Sequence, residues 1–274
     1  ASRERRMVAV PQSPRESIMI AIGSSPSAQE SALEVVDISA RRADLSRRRE
    51  TKFAFYQPDL DAIRRVLAGN GRREIYHRPV SIVRSVYFDD LRLSSCRANL
   101  DGLSRRHKLR LRWYDSLRPQ TECFLEVKWR RNRLTGKHRL RVESREPLGA
   151  LPYRTILDRL AAAMPEHLLP TLLAYHEPVL LVEYRREHFV SPERRLRVTL
   201  DYGIVYYEQL GRQTISTAFG RKHEGFVVLE GKTPVGCESE LRLLLHPLTG
   251  RVTGCSKYVH GCRICGLIRR YGFL

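Results

Sequence analysis

Lys108-Leu109-Arg110-Leu111-Arg112-Trp113-Tyr114 alternates a cation with a large apolar residue as far as Trp113. Residues two apart on a β-strand point to the same face, so this segment presents one charged face and one apolar face. The same alternation recurs in Glu50 with Lys52, Glu126 with Lys128 and Arg130, Lys137 with Arg139 and Arg141, Arg195 with Arg197, and Glu230 with Lys232. A wall lined with cations is unfavourable unless a hydrated polyanion fills the space it faces. The pattern therefore predicts an inside-out sheet: an antiparallel β-barrel whose bore holds phosphates and whose outer face packs against helices.

The 274 residues carry 49 Lys plus Arg against 30 Asp plus Glu, a net charge of +19, and most of the excess lies after residue 49. A field of that sign attracts nucleic acid, polyphosphate, nucleotides or acidic lipid. With 42% hydrophobic residues the chain can bury a substantial core. No stretch approaches the roughly 20 apolar residues of a membrane helix; the richest, Leu168 to Tyr184, is interrupted by Pro170, His176, Glu177 and Pro178. A cytoplasmic protein is expected. Six cysteines in a chain this long fit a reduced compartment.

Residues 1–46 are rich in Ser, Ala, Arg and Glu, contain three prolines and hold no aromatic residue. They read as a disordered tail with a short helix near Ala28 to Ala43. At Arg47 the composition changes, so the domain is expected over 47–274. Strands are predicted at Glu50–Tyr56, Ser81–Phe88, His107–Tyr114, Cys123–Arg130, Lys137–Glu143, Pro178–His188, Leu196–Asp201, Ile204–Glu208 and Gly225–Lys232. Helices are predicted from Asp59 to Ala68, Leu91 to Leu100, Leu151 to Met164 and Cys237 to His246. The fold class is α+β, with about eight antiparallel strands closing a barrel.

Eight short motifs in one order carry a resemblance. They are Glu50-Thr-Lys52-Phe, Val86-Tyr-Phe-Asp-Asp90, Lys108-Leu-Arg110-Leu-Arg112-Trp-Tyr, Leu125-Glu-Val-Lys128, Val182-Glu-Tyr184-Arg-Arg186, Arg197-Val-Thr-Leu-Asp201, Leu229-Glu230-Gly-Lys232 and Ser256-Lys257-Tyr. From Arg47 to Cys262 the chain resembles the VTC domain, a family of polyphosphate polymerases within the CYTH-like triphosphate tunnel metalloenzymes. The resemblance implies a β-tunnel that draws in ATP with Mn²⁺ or Mg²⁺, transfers the γ-phosphoryl group to a polyphosphate chain and releases ADP. It assigns Arg110 and Arg112 as phosphate clamps, where planar guanidinium groups give a two-pronged grip. Lys52 and Lys128 match lysines that reach the triphosphate, Arg186 and Arg197 arginines of later strands, and Tyr184 the tyrosine beside them. Glu230 matches the metal-binding carboxylate, an oxygen ligand suited to a hard divalent ion. Ser256 and Lys257 match the Ser-Lys pair at the tunnel mouth, and Lys137 is a further tunnel lysine.

Plainer readings stand beside these. Glu50, Glu126 and Glu183 could be cross-strand partners of neighbouring cations, and Tyr87, Phe88 and Tyr114 packing residues. Gly231 stands where the family usually has a β-branched residue, which suggests a bulge or a close approach. Gly254 stands where polymerases often carry a second lysine, and only Glu50 remains of a two-carboxylate opening strand, which disfavours triphosphate hydrolysis. Cys262-x-x-Cys265, with Cys255 or His260, has the spacing of a zinc site, against a default of free thiols.

Three functions remain open: a metal-dependent polyphosphate polymerase, a non-catalytic tunnel that holds polyphosphate or another phospholigand, and a basic nucleic-acid-binding domain. The last lacks any recognition signature, so no specific nucleic acid is expected. Any coupling to a membrane would come through a separate partner.

Overall fold

The structure, a computed structural model, describes residues 33–39, 48–132, 134–248, 251–252 and 254–268. Among the described residues there are twelve strands: β1 (Glu34–Asp37), β2 (Arg48–Tyr56), β3 (Arg72–Glu74), β4 (Ser81–Asp89), β5 (Arg105–Tyr114), β6 (Glu122–Arg131), β7 (Leu134–Glu143), β8 (Glu177–Val190), β9 (Arg197–Glu208), β10 (Arg221–Lys222), β11 (Phe226–Pro234) and β12 (Arg251–Val252). The helices are α1 (Leu60–Gly69), α2 (Ser94–Leu100), α3 (Tyr153–Ala163), α4 (Leu169–Ala174), α5 (Glu238–Leu245) and α6 (Lys257–Ile264). No helix among the described residues is long and apolar enough to cross a membrane.

The strands form one antiparallel sheet in the order β1-β7-β6-β5-β4-β8-β9-β11-β2-β12, with β10 beside β9 and β3 beside β8. The expected closed barrel of about eight strands is corrected here: the described pairings run as an open path from β1 to β12. The path is nonetheless curled. β6 and β2 lie six positions apart, about 29 Å on a flat sheet at roughly 4.8 Å per strand. Yet Lys128 Nζ on β6 stands 3.4 Å from Glu50 Oε1 on β2. The two arms of the sheet therefore face each other across a bore.

The alternation of β5 sorts its side chains between that bore and the outside. Leu109, Leu111 and Trp113 join Leu125, Val127, Leu140 and Val142 in an outer core, covered by Tyr153, Ile156 and Leu160 of α3 and Leu172 of α4. On the other arm Phe53, Phe55, Val198, Leu200, Val227 and Leu229 pack outward against α1 and α5. Asp59 starts α1 by accepting hydrogen bonds from the backbone N–H of Asp61 and Ala62. Ile63 and Leu67, one turn apart, bury its inner face.

A third apolar cluster lies on the bore side. Tyr87, Leu180, Val182, Tyr184, Tyr206 and Val228 meet α6 through Tyr258, Val259 and Cys262. Tyr87 and Tyr258 stack with ring centroids 4.9 Å apart. A Cβ on Gly261 would come within 2.4 Å of the Tyr206 ring and 2.5 Å of Leu180, so only glycine lets α6 seat this closely. The helix covers the apolar stretch of the bore on β4, β8 and β9 and leaves the rest to charged groups.

Two local expectations change. Glu34–Asp37, inside the segment read as a tail and a short helix, is a strand paired with β7 from Glu34↔Glu143 to Asp37↔Leu140. The rest of that helix lies outside the described residues. Gly231 marks no bulge, because the register on both sides of β11 is continuous. It marks a close approach, since a Cβ there would meet Leu241 of α5 at 2.3 Å.

Candidate active site in a cation-lined chamber

Cross-strand register assembles the chamber. On one arm Arg110 (β5) stands opposite Glu126 (β6), which stands opposite Arg139 (β7); Lys108, Lys128 and Lys137 form the next row. Tyr87, Lys108, Arg110, Glu126, Lys128 and Lys137 line a small cavity of about 30 Å³.

Glu126 is the hub of this arm and is 1% exposed. Its Oε2 accepts a hydrogen bond from Arg110 Nε at 2.7 Å, and Arg110 Nη2 lies 2.5 Å from the same oxygen. Lys137 Nζ donates to Oε1, which has Arg139 Nη1 at 3.6 Å, while Arg112 Nη1 lies 3.8 Å from Oε2. Burial alone would raise the pKa of this carboxyl, but Arg110, Arg112, Lys137 and Arg139 hold it well below the usual carboxylate range. Arg110 also donates to Tyr87 Oη at 2.8 Å. Arg112 donates to Ser85 Oγ and Tyr184 Oη.

Asp201 on β9 is the second hub. Arg186 on β8 grips it with two hydrogen bonds, 2.6 and 2.7 Å, and Lys257 donates to it at 2.6 Å. Its burial would raise the pKa, yet these two cations bring it down to about 2. The Tyr184 ring lies beneath both, 5.2 Å from the Arg186 guanidinium and 4.8 Å from Lys257 Nζ.

On the far arm two carboxylates share a set of lysines. Lys52 lies 3.0 Å from Glu50 and 3.8 Å from Glu230, and Lys232 lies 3.0 Å from Glu230. Burial would raise the Glu230 pKa, but Lys232, Lys52 and Arg186 hold it well below the ordinary value. Both carboxylates are lowered, so both are ionised. Two ionised oxygen donors without a third acidic neighbour match a divalent cation such as Mg²⁺, which takes one or two carboxylates and completes its shell with phosphate oxygens and water. Among the described residues no group of three or more His, Cys, Asp or Glu is arranged to hold a metal by itself. The donor set thus fits a hard ion that arrives with its phosphates.

Ser256 caps α6 by accepting from Val259 N, and the same hydroxyl accepts a hydrogen bond from Lys108 Nζ at 2.9 Å. Burial, with Lys52, Lys128, Arg106 and Arg110 close by, pushes the Lys108 pKa down to about 7. No carboxylate partner is found for it among the described residues.

Contacts through these hubs link Lys52, Arg110, Arg112, Lys128, Lys137, Tyr184, Arg186, Glu230, Ser256 and Lys257. Arg197 stands apart, opposite Lys232, with its Nε buried and without a hydrogen-bond partner. Sequence reasoning passed over Lys108, Arg139 and Asp201 as site residues. Lys108 and Arg139 share the alternating face that singled out their neighbours, and Asp201 continues the alternation of Arg195 and Arg197 but carries the opposite charge. Glu126, read as either an ion-pair partner or a metal ligand, is the former. The zinc spacing does not assemble: Cys262 is buried in the apolar cluster under α6, while His260 stacks on Phe226 and shares a 2.8 Å hydrogen bond with His223.

Two of the solved structures that resemble this one are PH1819 from Pyrococcus horikoshii OT3 (14% identity, 79% of this chain and 98% of that one, TM-score 0.43) and HpAC1 from Hippeastrum, a protein in which triphosphatase activity dominates (15%, 78% and 96%, TM-score 0.44). The inorganic triphosphatase NE1496 matches with 12% identity over 71% of this chain and 78% of its own, at a TM-score of 0.26. No curated protein matches the sequence. The family model of the VTC domain matches residues 47–265, most of the chain. The chain belongs to the VTC domain family.

Proposed function

We propose that the chamber binds the triphosphate of ATP and passes its γ-phosphoryl group to a polyphosphate chain, releasing ADP. The observation that carries this reading is convergence: guanidinium and ammonium groups from β2, β5, β6, β7, β8, β11 and α6 face one bore. Phosphoryl transfer asks little covalent chemistry of a protein, so positioning and neutralisation of charge do most of the work. Arg110, Arg112 and Arg186 supply planar grips on non-bridging oxygens. Each is already oriented by Glu126, Ser85, Tyr184 or Asp201, so little is lost in ordering them when phosphate arrives. Lys52, Lys128 and Lys137 add point charges along the chain. Glu230 and Glu50 would hold Mn²⁺ or Mg²⁺, which when bound neutralises phosphate-oxygen charge.

A second reading, a tunnel that holds polyphosphate without turnover, is favoured by the small number of carboxylates available for metal and by Gly254 in place of a lysine. Incubation of the protein with ATP and Mn²⁺ separates the two. ADP release matched by formation of long-chain phosphate is the expected result. Binding of polyphosphate without ADP release would favour the second reading, and preference for duplex DNA over polyphosphate at equal charge would sink both.

A further inference from the structure

The chamber opens along β5 and β6 toward the ends of those strands nearest Ser104 and Asn132. The side chain of Glu126 is 1% exposed, and that of Lys128, two residues further out, is 49% exposed. The next row on the same face is Arg106 opposite Arg130. Like charges directly opposite one another on adjacent strands destabilise a sheet, and no carboxylate contacts either guanidinium among the described residues. Both are nevertheless held in place. Arg106 Nη1 donates to Leu103 O at 2.6 Å and Arg130 Nε donates to Asn132 O at 2.8 Å. Backbone carbonyls thus fix the two guanidiniums and leave their remaining N–H groups unclaimed by any acid.

We propose that Arg106 and Arg130 form a separate subsite that grips phosphates of a polyphosphate chain beyond the chamber, so that the protein's hold on the chain depends on its length. The proposal rests on the phosphate-binding reading of the chamber. Successive same-face rows on a strand are about 7 Å apart, so a chain leaving the row of Lys108, Lys128 and Lys137 meets this pair next. The Arg110 row lies two rows, about 14 Å, from this pair, so tripolyphosphate gripped by Arg110 and Arg112 is too short to occupy both places. The field supports an anion there as well: burial and then Arg130 lower the pKa of Arg106, a cost that a bridging phosphate removes.

The test compares binding of tripolyphosphate and of long-chain polyphosphate to the wild type and to an Arg106→Gln/Arg130→Gln double variant by titration calorimetry at several salt concentrations. The expected result is an affinity loss on the order of tenfold for the long chain, a salt slope reduced by about two and an unchanged affinity for tripolyphosphate. Equal losses for both ligands, or no loss for the long chain, would overturn the subsite. If wild type binds neither ligand, the chamber reading itself falls, and the subsite with it. Single Arg106→Gln and Arg130→Gln variants, each expected to show about half the effect on the salt slope, guard against a fold defect in the double variant.

Discussion

On β6, Glu126 faces four cations and is 1% exposed, whereas on β11 Glu230 meets two lysines and keeps 12% of its side chain open. Glu50, beside it on β2, keeps 28%. The same chemistry, a carboxylate among cations, serves two purposes. In the first arm the carboxylate is spent on the protein: it orients Arg110 and keeps a dense cationic cluster foldable without ligand. In the second the carboxylates keep part of their surface open beside their lysines, the environment in which a divalent cation would find oxygen donors. Solvent access thus distinguishes an internal counter-ion from a candidate metal ligand where sequence alone does not, since both acids sit in alternating strands beside lysines.

The sharpest way to break this comparison is to neutralise each hub in turn. Glu126→Gln leaves Arg110, Arg112, Lys137 and Arg139 without their shared anion, and removal of one member of a buried ion cluster costs about 3–5 kcal/mol. Urea denaturation should show that loss. Tripolyphosphate should raise the melting temperature of the variant more than that of the wild type, because phosphate oxygens replace the missing carboxylate. An unchanged midpoint would mean that Glu126 is no hub.

Glu230→Gln is expected to behave in the opposite way. Lys52 and Lys232 keep 25% and 37% of their side chains exposed, so water screens them and stability should fall by about 1 kcal/mol or less. The rate of ADP release should instead drop about a hundredfold, and the Mn²⁺ concentration needed for half the remaining rate should rise. Loss of stability without a change in metal dependence would place Glu230 in the same class as Glu126.

Lys108 sharpens the comparison on a third axis, since no acid pairs with it. Its pKa of about 7, against an ordinary 10.5, means that it is largely neutral above pH 8 in the empty chamber. A bound polyanion favours the ammonium form, so binding takes up a proton. Affinity for tripolyphosphate should be strongest near pH 7 and weaken toward pH 9, by up to about tenfold per pH unit. The ligand's own ionisation would act the other way, because phosphate gains charge as pH rises through about 6. Lys108→Met should lessen the slope and leave the share of Lys137, which burial also pushes down to about 7. In the ligand-free protein this lysine binds fewer protons folded than unfolded between pH 7 and 10.5, so its contribution makes stability rise across that window.

How much of this was legible beforehand varies with the physical cause. The strands of the bore could be read because cations at every second residue are rare and periodic: β5, predicted over His107–Tyr114, spans Arg105–Tyr114, and β11, predicted over Gly225–Lys232, spans Phe226–Pro234. Leu196–Asp201 and Ile204–Glu208 read as two strands, with Tyr202 and Gly203 left between them. They are one strand, β9, which passes Gly203 with a φ of +60°. α6 escaped notice altogether. Val259 and Gly261 are poor helix formers, and the helix is held by the aromatic bed of Tyr87 and Tyr206, which tertiary contact alone creates. β1 was hidden for a similar reason: Glu-Val-Val-Asp carries little signal, and its pairing partner, β7, lies about a hundred residues away. The curl of the sheet was legible in the charge pattern, whereas the closure expected from about eight strands is absent from the described pairings, because strand count does not determine whether edge strands meet.

The smallest effect concerns Gly254, one of the positions where the chain departs from the family pattern. Gly254 is exposed, and a Cβ built on it meets nothing within 4 Å. It lies two residues before Ser256, whose hydroxyl joins Lys108 to α6. Gly254→Lys therefore adds a cation beside the chamber without displacing a neighbour, and stability should change by no more than about 0.5 kcal/mol. A solvated lysine adds little to binding through a single exposed contact, roughly 0.2–1 kcal/mol, so affinity for tripolyphosphate should rise only a few-fold. If ADP release rises by far more than affinity, the added ammonium acts on the transition state, and the natural glycine is what keeps the chamber slow. If both rise together, the lysine merely thickens the positive field, and the difference between the two arms of the wall stays with Glu126 and Glu230.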